Sequence, residues 1–258
     1  MQFRERYDIV NQLGRGTTAS VFFARDKHLN KHWAVKVFDT SRFQEKDWLC
    51  MENEILILQK VQSLQMPRIV DLYRENTRTC LVMDFMEGIR LDHYVESYGP
   101  VGEVLTIPWM IELCDILLHL HQMEPTIVYC DLKPENIILQ KNGHLALVDL
   151  GSARQLCRKK EPGLPLTGTP GYTAPELFGD GGKLDDSGQL LDVCADVYSI
   201  GAVGRFLLTG MHHIPWQILA GKLSKGLLQV LQSCEAPPVR RFENCFALKK
   251  EMEQIYGK

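Results

Sequence analysis

With 258 residues, 45% hydrophobic and 24% charged, the chain is large and apolar enough to bury a full core, which excludes an intrinsically disordered chain. A net charge of -3 supplies no general basic field, so charge gives no reason to expect nucleic acid or anionic membrane as a partner. The charged stretch 1–7 lacks the apolar core of a signal peptide, and the 8 scattered cysteines contain no CxxC pair, which fits reduced thiols in a cytoplasm.

In chain order, Tyr7–Leu13 and Ser20–Ala24 are rich in β-branched and aromatic residues and flank the turn Gly14-Arg15-Gly16-Thr17-Thr18-Ala19, which predicts a hairpin. Trp33–Phe38 reads as a third strand with Lys36 inside it. Leu49, Ile55, Leu58 and Val61 recur at helical spacing and predict an amphipathic helix over Asp47–Val61. Ile69–Tyr73 and Cys80–Phe85 add two strands. From Leu91 onward helices dominate, the clearest being Trp109–Gln122, with Leu113, Ile116, Leu117 and Leu120 on one face and Pro108 placed to start it. Strands return over Ile137–Asp149 around the pair Asn142-Gly143, which tolerates positive φ in a tight hairpin. Asp196–Thr209 and Leu223–Leu231 read as helices. No repeat or low-complexity tract occurs, and charged residues such as Asp115 and Arg205 break the apolar stretches before any of them could span a bilayer. A strand-rich lobe to about Met83, a short link and a helical lobe predict a cleft, a common place for ligands.

Glycines at 14 and 16 let backbone amides approach phosphates, although a glycine turn in a hairpin is often only structural. Lys36 is more telling, because an ammonium in an apolar strand is costly unless it meets an anion or reaches water along its stem. Glu54 on the next helix is the natural carboxylate to hold it. A denser cluster follows, Tyr129-Cys130-Asp131-Leu132-Lys133-Pro134-Glu135-Asn136 and then Asp149-Leu150-Gly151. Asp131, Asn136 and Asp149 offer hard oxygen ligands or a base, suited to Mg²⁺ rather than zinc, and Lys133 adds a positive charge; either segment alone could be a polar turn.

Together these motifs, with Ala34-Val35-Lys36, Ala174-Pro175-Glu176, Gly168-Thr169-Pro170-Gly171-Tyr172 and Asp196-Val197-Tyr198-Ser199-Ile200-Gly201, resemble the protein kinase family in order and spacing over nearly the whole chain. The resemblance implies an α+β, bilobal kinase-like fold: a small β-rich N-lobe over about 1–83, a hinge over about 84–90 and a larger, mainly helical C-lobe over about 91–258. It implies an ATP-dependent protein kinase using Mg²⁺, with Mn²⁺ as an alternative, and acting on protein substrates, with no nucleic acid partner. Lys133 and Thr169 match serine/threonine rather than tyrosine kinases, and the run Pro125–Tyr129 resembles bacterial members of that class.

By position, the resemblance makes Asp131 the base for the substrate hydroxyl and Lys133 the group that steadies the γ-phosphate. Lys36, held by Glu54, meets the α- and β-phosphates, while Asn136 and Asp149 bind the metal. Leu13, Gly14, Gly16, Val21, Ala34, Met83, Asp84, Met86 and Ile138 surround the nucleotide, with Asp84 to Met86 as the hinge. Leu58, Leu72, Tyr129 and Leu150 form a packed stack anchored by Asp196, and Glu176 pairs with Arg240.

Departures from the family pattern are Ala19 for a glycine, Tyr129 for histidine, Leu150 for phenylalanine and Cys130 for arginine. A thiol cannot pair with a phosphorylated activation segment, so the expectation is activity without phosphorylation between Asp149 and Glu176. Arg90 stands near where kinases that prefer upstream arginine carry an acid, which disfavours that preference. His119 and His121 are expected to be ordinary surface or packing residues, Cys130 a buried inert thiol, and Gly179–Asp192 a surface loop rather than a calcium site.

Overall fold

The computed structural model describes residues 2–156, 168–178 and 192–257, which fall into two compact units, one running to Glu87 and one starting at Gly88. In the first, a short helix α1 (Phe3–Arg6) leads into strands β1 (Tyr7–Arg15), β2 (Ala19–Asp26), β3 (His32–Asp39), β4 (Ile69–Glu75) and β5 (Arg78–Asp84), with helix α2 (Glu45–Lys60) between β3 and β4. The strands form one antiparallel sheet in the order β1-β2-β3-β5-β4. Each runs slightly longer than the apolar stretch that foretells it, because ladder hydrogen bonds continue past the marking side chains. Helix α2 starts two residues before its expected position, since the Asp47 carboxylate accepts the Gln44 amide at 2.9 Å and caps an earlier turn.

Val35, Val82 and Ala24 of the sheet pack with Phe3, Tyr7 and Cys80 into a closed core, with Trp33 and Val37 at its margin. Alternation along β3 therefore turns Lys36 to the opposite face. The N-terminal helix is pinned by Arg6, which donates to Asp26 at 3.0 Å and to Asp71 at 3.2 Å. Burial pushes the Asp26 carboxyl up, but the Leu29 amide, the Arg6 guanidinium and the His28 amide outweigh it, and its pKa lies below the ordinary 3.8. The folded form thus holds this proton less tightly than the unfolded chain, so the pair stabilises above pH 3.8 and its contribution is lost as pH falls through the depressed value. Asp26→Asn is expected to lose about 3 kcal/mol at neutral pH and to show a flatter acid limb in denaturant titrations; an unchanged acid limb would refute the assignment.

The second unit holds β6 (Gly88–Arg90), α3 (Leu91–Tyr98), α4 (Glu103–His121), β7 (Ile127–Val128), β8 (Ile137–Gln140), β9 (Leu145–Leu147), β10 (Arg154–Gln155), α5 (Cys194–Thr209), α6 (Trp216–Leu219), α7 (Lys225–Cys234) and α8 (Cys245–Tyr256). Two small sheets, β6-β8-β9 and β7 with β10, sit beside the helices. Every residue of α5 from Cys194 to Leu207 is buried, which makes it the central helix, and α4, α7 and α8 pack around it. Its Gly201 admits Cys234 of α7 into the space a Cβ would fill. By length and composition α4 alone among the described helices is apolar enough to cross a membrane, yet half of that stretch is buried within the fold, as in the core helix of a globular unit.

Two local expectations are corrected here. Pro108 lies inside α4 rather than at its start, because Gly102 caps the helix at residue 103; the ring falls in the second turn, where it removes one i→i−4 bond, that to the Val104 carbonyl. In the β8–β9 turn only Gly143, and not Asn142, takes a positive φ, of 85°. The Gly143 amide donates to the Gln140 carbonyl at 2.9 Å, and the Asn142 carboxamide oxygen accepts the His144 amide at 3.0 Å. The loop is longer than a two-residue hairpin turn. Of the segment Gly179–Asp192, all but Asp192 lies outside the described residues.

Candidate active site

In the first unit, Lys36 Nζ lies 2.6 Å from Glu54 Oε1, with the two side chains only 11% and 4% exposed. The ammonium therefore meets a carboxylate rather than snorkelling to water. Lys36 sits opposite Val21 on β2 and Leu81 on β5, and Ala34 lies opposite Met83, so the register gathers Val21, Ala34, Lys36 and Met83 on neighbouring strands. Leu13 lies exposed on β1, Met86 is half-buried, and Asp84 takes the Arg68 guanidinium at 2.7 Å. At the glycine turn, the Gly16 amide closes onto the Ala19 carbonyl at 2.8 Å. A Cβ on Gly14 would meet no protein atom within 4 Å, and one on Gly16 only that carbonyl at 3.5 Å. The fold itself does not need glycine there; the space is open to a ligand, and it fits a phosphate approached by backbone amides.

In the second unit, Asp131, 8% exposed, is surrounded by donors. Its Oδ1 accepts the Thr169 hydroxyl at 2.7 Å, its Oδ2 lies 2.8 Å from Lys133 Nζ, and Lys133 also donates to the Thr169 oxygen at 2.7 Å. Asn136 directs its amide nitrogen to the Asp131 carbonyl at 2.9 Å, which turns its oxygen the other way. Asp149 follows β9, is exposed, and accepts the Gly151 amide at 3.2 Å. Ile138 lies on β8, 9% exposed.

The frame beneath these groups is Asp196 at the start of α5, which is fully buried. It accepts the amides of Tyr129 at 2.8 Å and Cys130 at 2.9 Å, fixing the two residues before Asp131, and the His121 Nε2 proton at 2.8 Å. Cys130 and Asp149 both take left-handed backbone, with φ of 67° and 66°, a conformation that non-glycine residues keep only when neighbours impose it. For Cys130 the imposing group is Asp196. On the Asp149 side, the Tyr129 hydroxyl donates to the preceding carbonyl, that of Val148. Burial, then the Asp196 charge, push the Cys130 thiol well up, so it remains a neutral donor to the Val128 carbonyl and presents no cation to a phosphate. Leu150 is fully buried.

His121 is not the surface or bland packing residue expected from sequence. It continues the buried stripe Leu113-Leu117 by four more residues, a signal present in the sequence, and joins α4 to the Asp196 frame. His119, two residues earlier, is exposed.

Arg240 is likewise corrected. Glu176 is held by Arg241, whose Nη1 and Nη2 donate to the two carboxylate oxygens at 2.6 and 3.1 Å and which also bonds the Cys194 and Ala236 carbonyls. The short 3₁₀ turn Pro238–Arg240 points Arg240 outward, to the rim of a cavity of about 650 Å³ that Phe242 and Glu251 also line. Arg241→Ala is expected to cost about 3–5 kcal/mol in chemical denaturation, and Arg240→Ala less than about 0.5. Equal costs would contradict this pairing.

The donor set suits a hard divalent ion: Asn136 and Asp149 bring oxygen, and neither thiolate nor imidazole stands with them. Among the described residues no three His, Cys, Asp or Glu side chains form a metal-binding group.

A family model for the protein kinase domain matches residues 7–255. The chain is similar to the mouse serine/threonine-protein kinase DCLK3, 29% identical over 210 residues, which cover 80% of this chain and 25% of that protein. It is similar to the Arabidopsis thaliana serine/threonine-protein kinase RUNKEL, 29% identical over 247 residues, or 88% of this chain and 17% of that one. It is also similar to the human serine/threonine-protein kinase Nek5, 27% identical over 238 residues, or 90% and 31%. The chain thus spans less than a third of the length of each of these relatives.

Proposed function

Because the chain belongs to the protein kinase family, we propose that it transfers the γ-phosphoryl group of ATP to serine and threonine hydroxyls of other proteins, using Mg²⁺. The observation that carries this reading is the Asp131-Lys133-Thr169 triangle: a nearly buried carboxylate, 2.8 Å from an ammonium and fixed by a hydroxyl. Asp131 takes the proton of the incoming alcohol, and Lys133 balances charge on the moving phosphoryl group. Lys36, aimed by Glu54, binds the α- and β-phosphates. Amides of the turn at Gly14 and Gly16 bind phosphate oxygens.

Leu13, Val21, Ala34, Met83 and Ile138 offer apolar surface to the adenine, and the backbone from Asp84 to Met86 offers it hydrogen bonds. Asn136 and Asp149 hold the divalent ion, which neutralises the phosphates when bound; Mn²⁺ suits the same oxygens. The described cysteines are free thiols, which supports a reducing, cytoplasmic setting.

Incubation with γ-labelled ATP, Mg²⁺ and a generic acceptor protein is expected to place label on serine and threonine, detected by mass spectrometry, and at least about a hundredfold more slowly with Asp131→Ala. Absence of transfer with either Mg²⁺ or Mn²⁺ would sink the proposal, and label on tyrosine would overturn its substrate class.

A further inference from the structure

The segment 168–178 touches the catalytic turn at two points. The Thr169 hydroxyl donates to Asp131 Oδ1 at 2.7 Å, and the Thr173 hydroxyl donates to the Cys130 carbonyl at 3.2 Å. Any alcohol whose proton reaches Asp131 therefore lies alongside this segment. Tyr172 anchors the segment from behind. Its ring, 1% exposed, stands edge-on to Phe206 of α5 at 6.2 Å and to His212 at 5.5 Å. Its hydroxyl lies 2.8 Å from His212 Nδ1, the hydroxyl's only hydrogen-bond partner among the described residues.

Burial, then the Glu135 charge, push the Tyr172 hydroxyl up, so it keeps the proton with which it can donate to His212 Nδ1.

His212 is itself held in place. Its ring stacks on Phe206 at 5.4 Å, and its carbonyl accepts from Arg205 Nη1 at 2.9 Å. Arg205, 1% exposed on α5, is fixed by Glu235, which caps the end of α7, at 2.7 Å and by His213 Nδ1 at 3.1 Å. An exposed histidine after a helix is ordinarily a solvated loop residue. This one differs because a buried hydroxyl depends on it, and because a buried arginine on the central helix sets where it stands.

We infer that His212 is a positioning residue for the protein acceptor: by receiving the Tyr172 hydrogen bond it transmits the rigidity of α5 and α7 to the segment beside Asp131. This rests on the phosphotransfer reading above. The role lies in holding the acceptor rather than in the chemical step, so its loss raises the KM for the acceptor and spares kcat.

The test uses the whole chain with dephosphorylated casein as acceptor. His212→Leu is expected to raise the casein KM about fivefold, the size of one lost hydrogen bond, with kcat within about twofold of wild type. Asparagine carries an oxygen near the position of Nδ1, so His212→Asn is expected to restore most of the loss. Tyr172→Phe combined with His212→Leu is expected to be no worse than His212→Leu alone. Deuterium exchange over residues 168–178 is expected to quicken in His212→Leu, and this reading does not depend on turnover. An unchanged casein KM, additive losses in the double variant, or unchanged exchange would each overturn the inference. Failure of the wild type to transfer phosphate would instead strike the phosphotransfer reading, leaving the exchange measurement to decide the positioning role.

Discussion

Asp131→Ala is expected to lower kcat by about 10²- to 10⁴-fold, the range for removal of a positioned general base. The size follows from position. The carboxylate is nearly buried, and its two oxygens are already fixed by Thr169 and Lys133. Removing it deletes the proton acceptor, yet Lys133 keeps its contact with the Thr169 hydroxyl, and the backbone of the turn stays pinned because Asp196 grips the amides of Tyr129 and Cys130 rather than the Asp131 side chain. The fold and the KM for ATP are therefore expected to survive. Single-turnover kinetics at saturating ATP measure the chemical step directly, and a loss smaller than tenfold would mean that Asp131 is not the base.

The second large effect is expected at Lys36. Lys36→Met keeps the length of the stem but removes the charge offered to the phosphates, with an expected loss of about 10²- to 10³-fold in kcat. It also takes from Glu54, whose side chain is 4% exposed, the ammonium that stood at 2.6 Å. Breaking a buried ion pair from one side costs about 3–5 kcal/mol, so this variant is expected to be both inactive and destabilised. Pairing it with Glu54→Gln separates the two causes. Most of the stability is expected to return, since the buried negative charge is gone as well, while activity stays lost. Recovery of turnover in the double variant would show that Lys36 serves the fold and not the phosphates.

Strands β1 to β5, α2 and the central helix were legible in the sequence, because each follows from a local pattern. Short runs rich in β-branched, aromatic and other apolar residues marked β1 to β5, a 3.6-residue period marked α2 and α4, and a lysine in an apolar strand announced its carboxylate. What escaped depended on orientation within a turn or on contacts distant in sequence. Of the adjacent arginines 240 and 241, which one reaches Glu176 is set by how the turn Pro238–Arg240 closes, and one residue decides it. Strands β6, β7 and β10, of two or three residues, are too short to carry a period. His121 lay on a readable stripe, but its partner is 75 residues away, so nothing local told that the imidazole would meet a carboxylate. The Tyr129 hydroxyl, 19 residues from the carbonyl it serves, is invisible for the same reason.

Asp196 gathers the end of α4, the start of α5 and the turn before Asp131 onto one carboxylate. The base therefore has no loop-like freedom of its own. Its orientational entropy is given up when the helices assemble, before any substrate arrives.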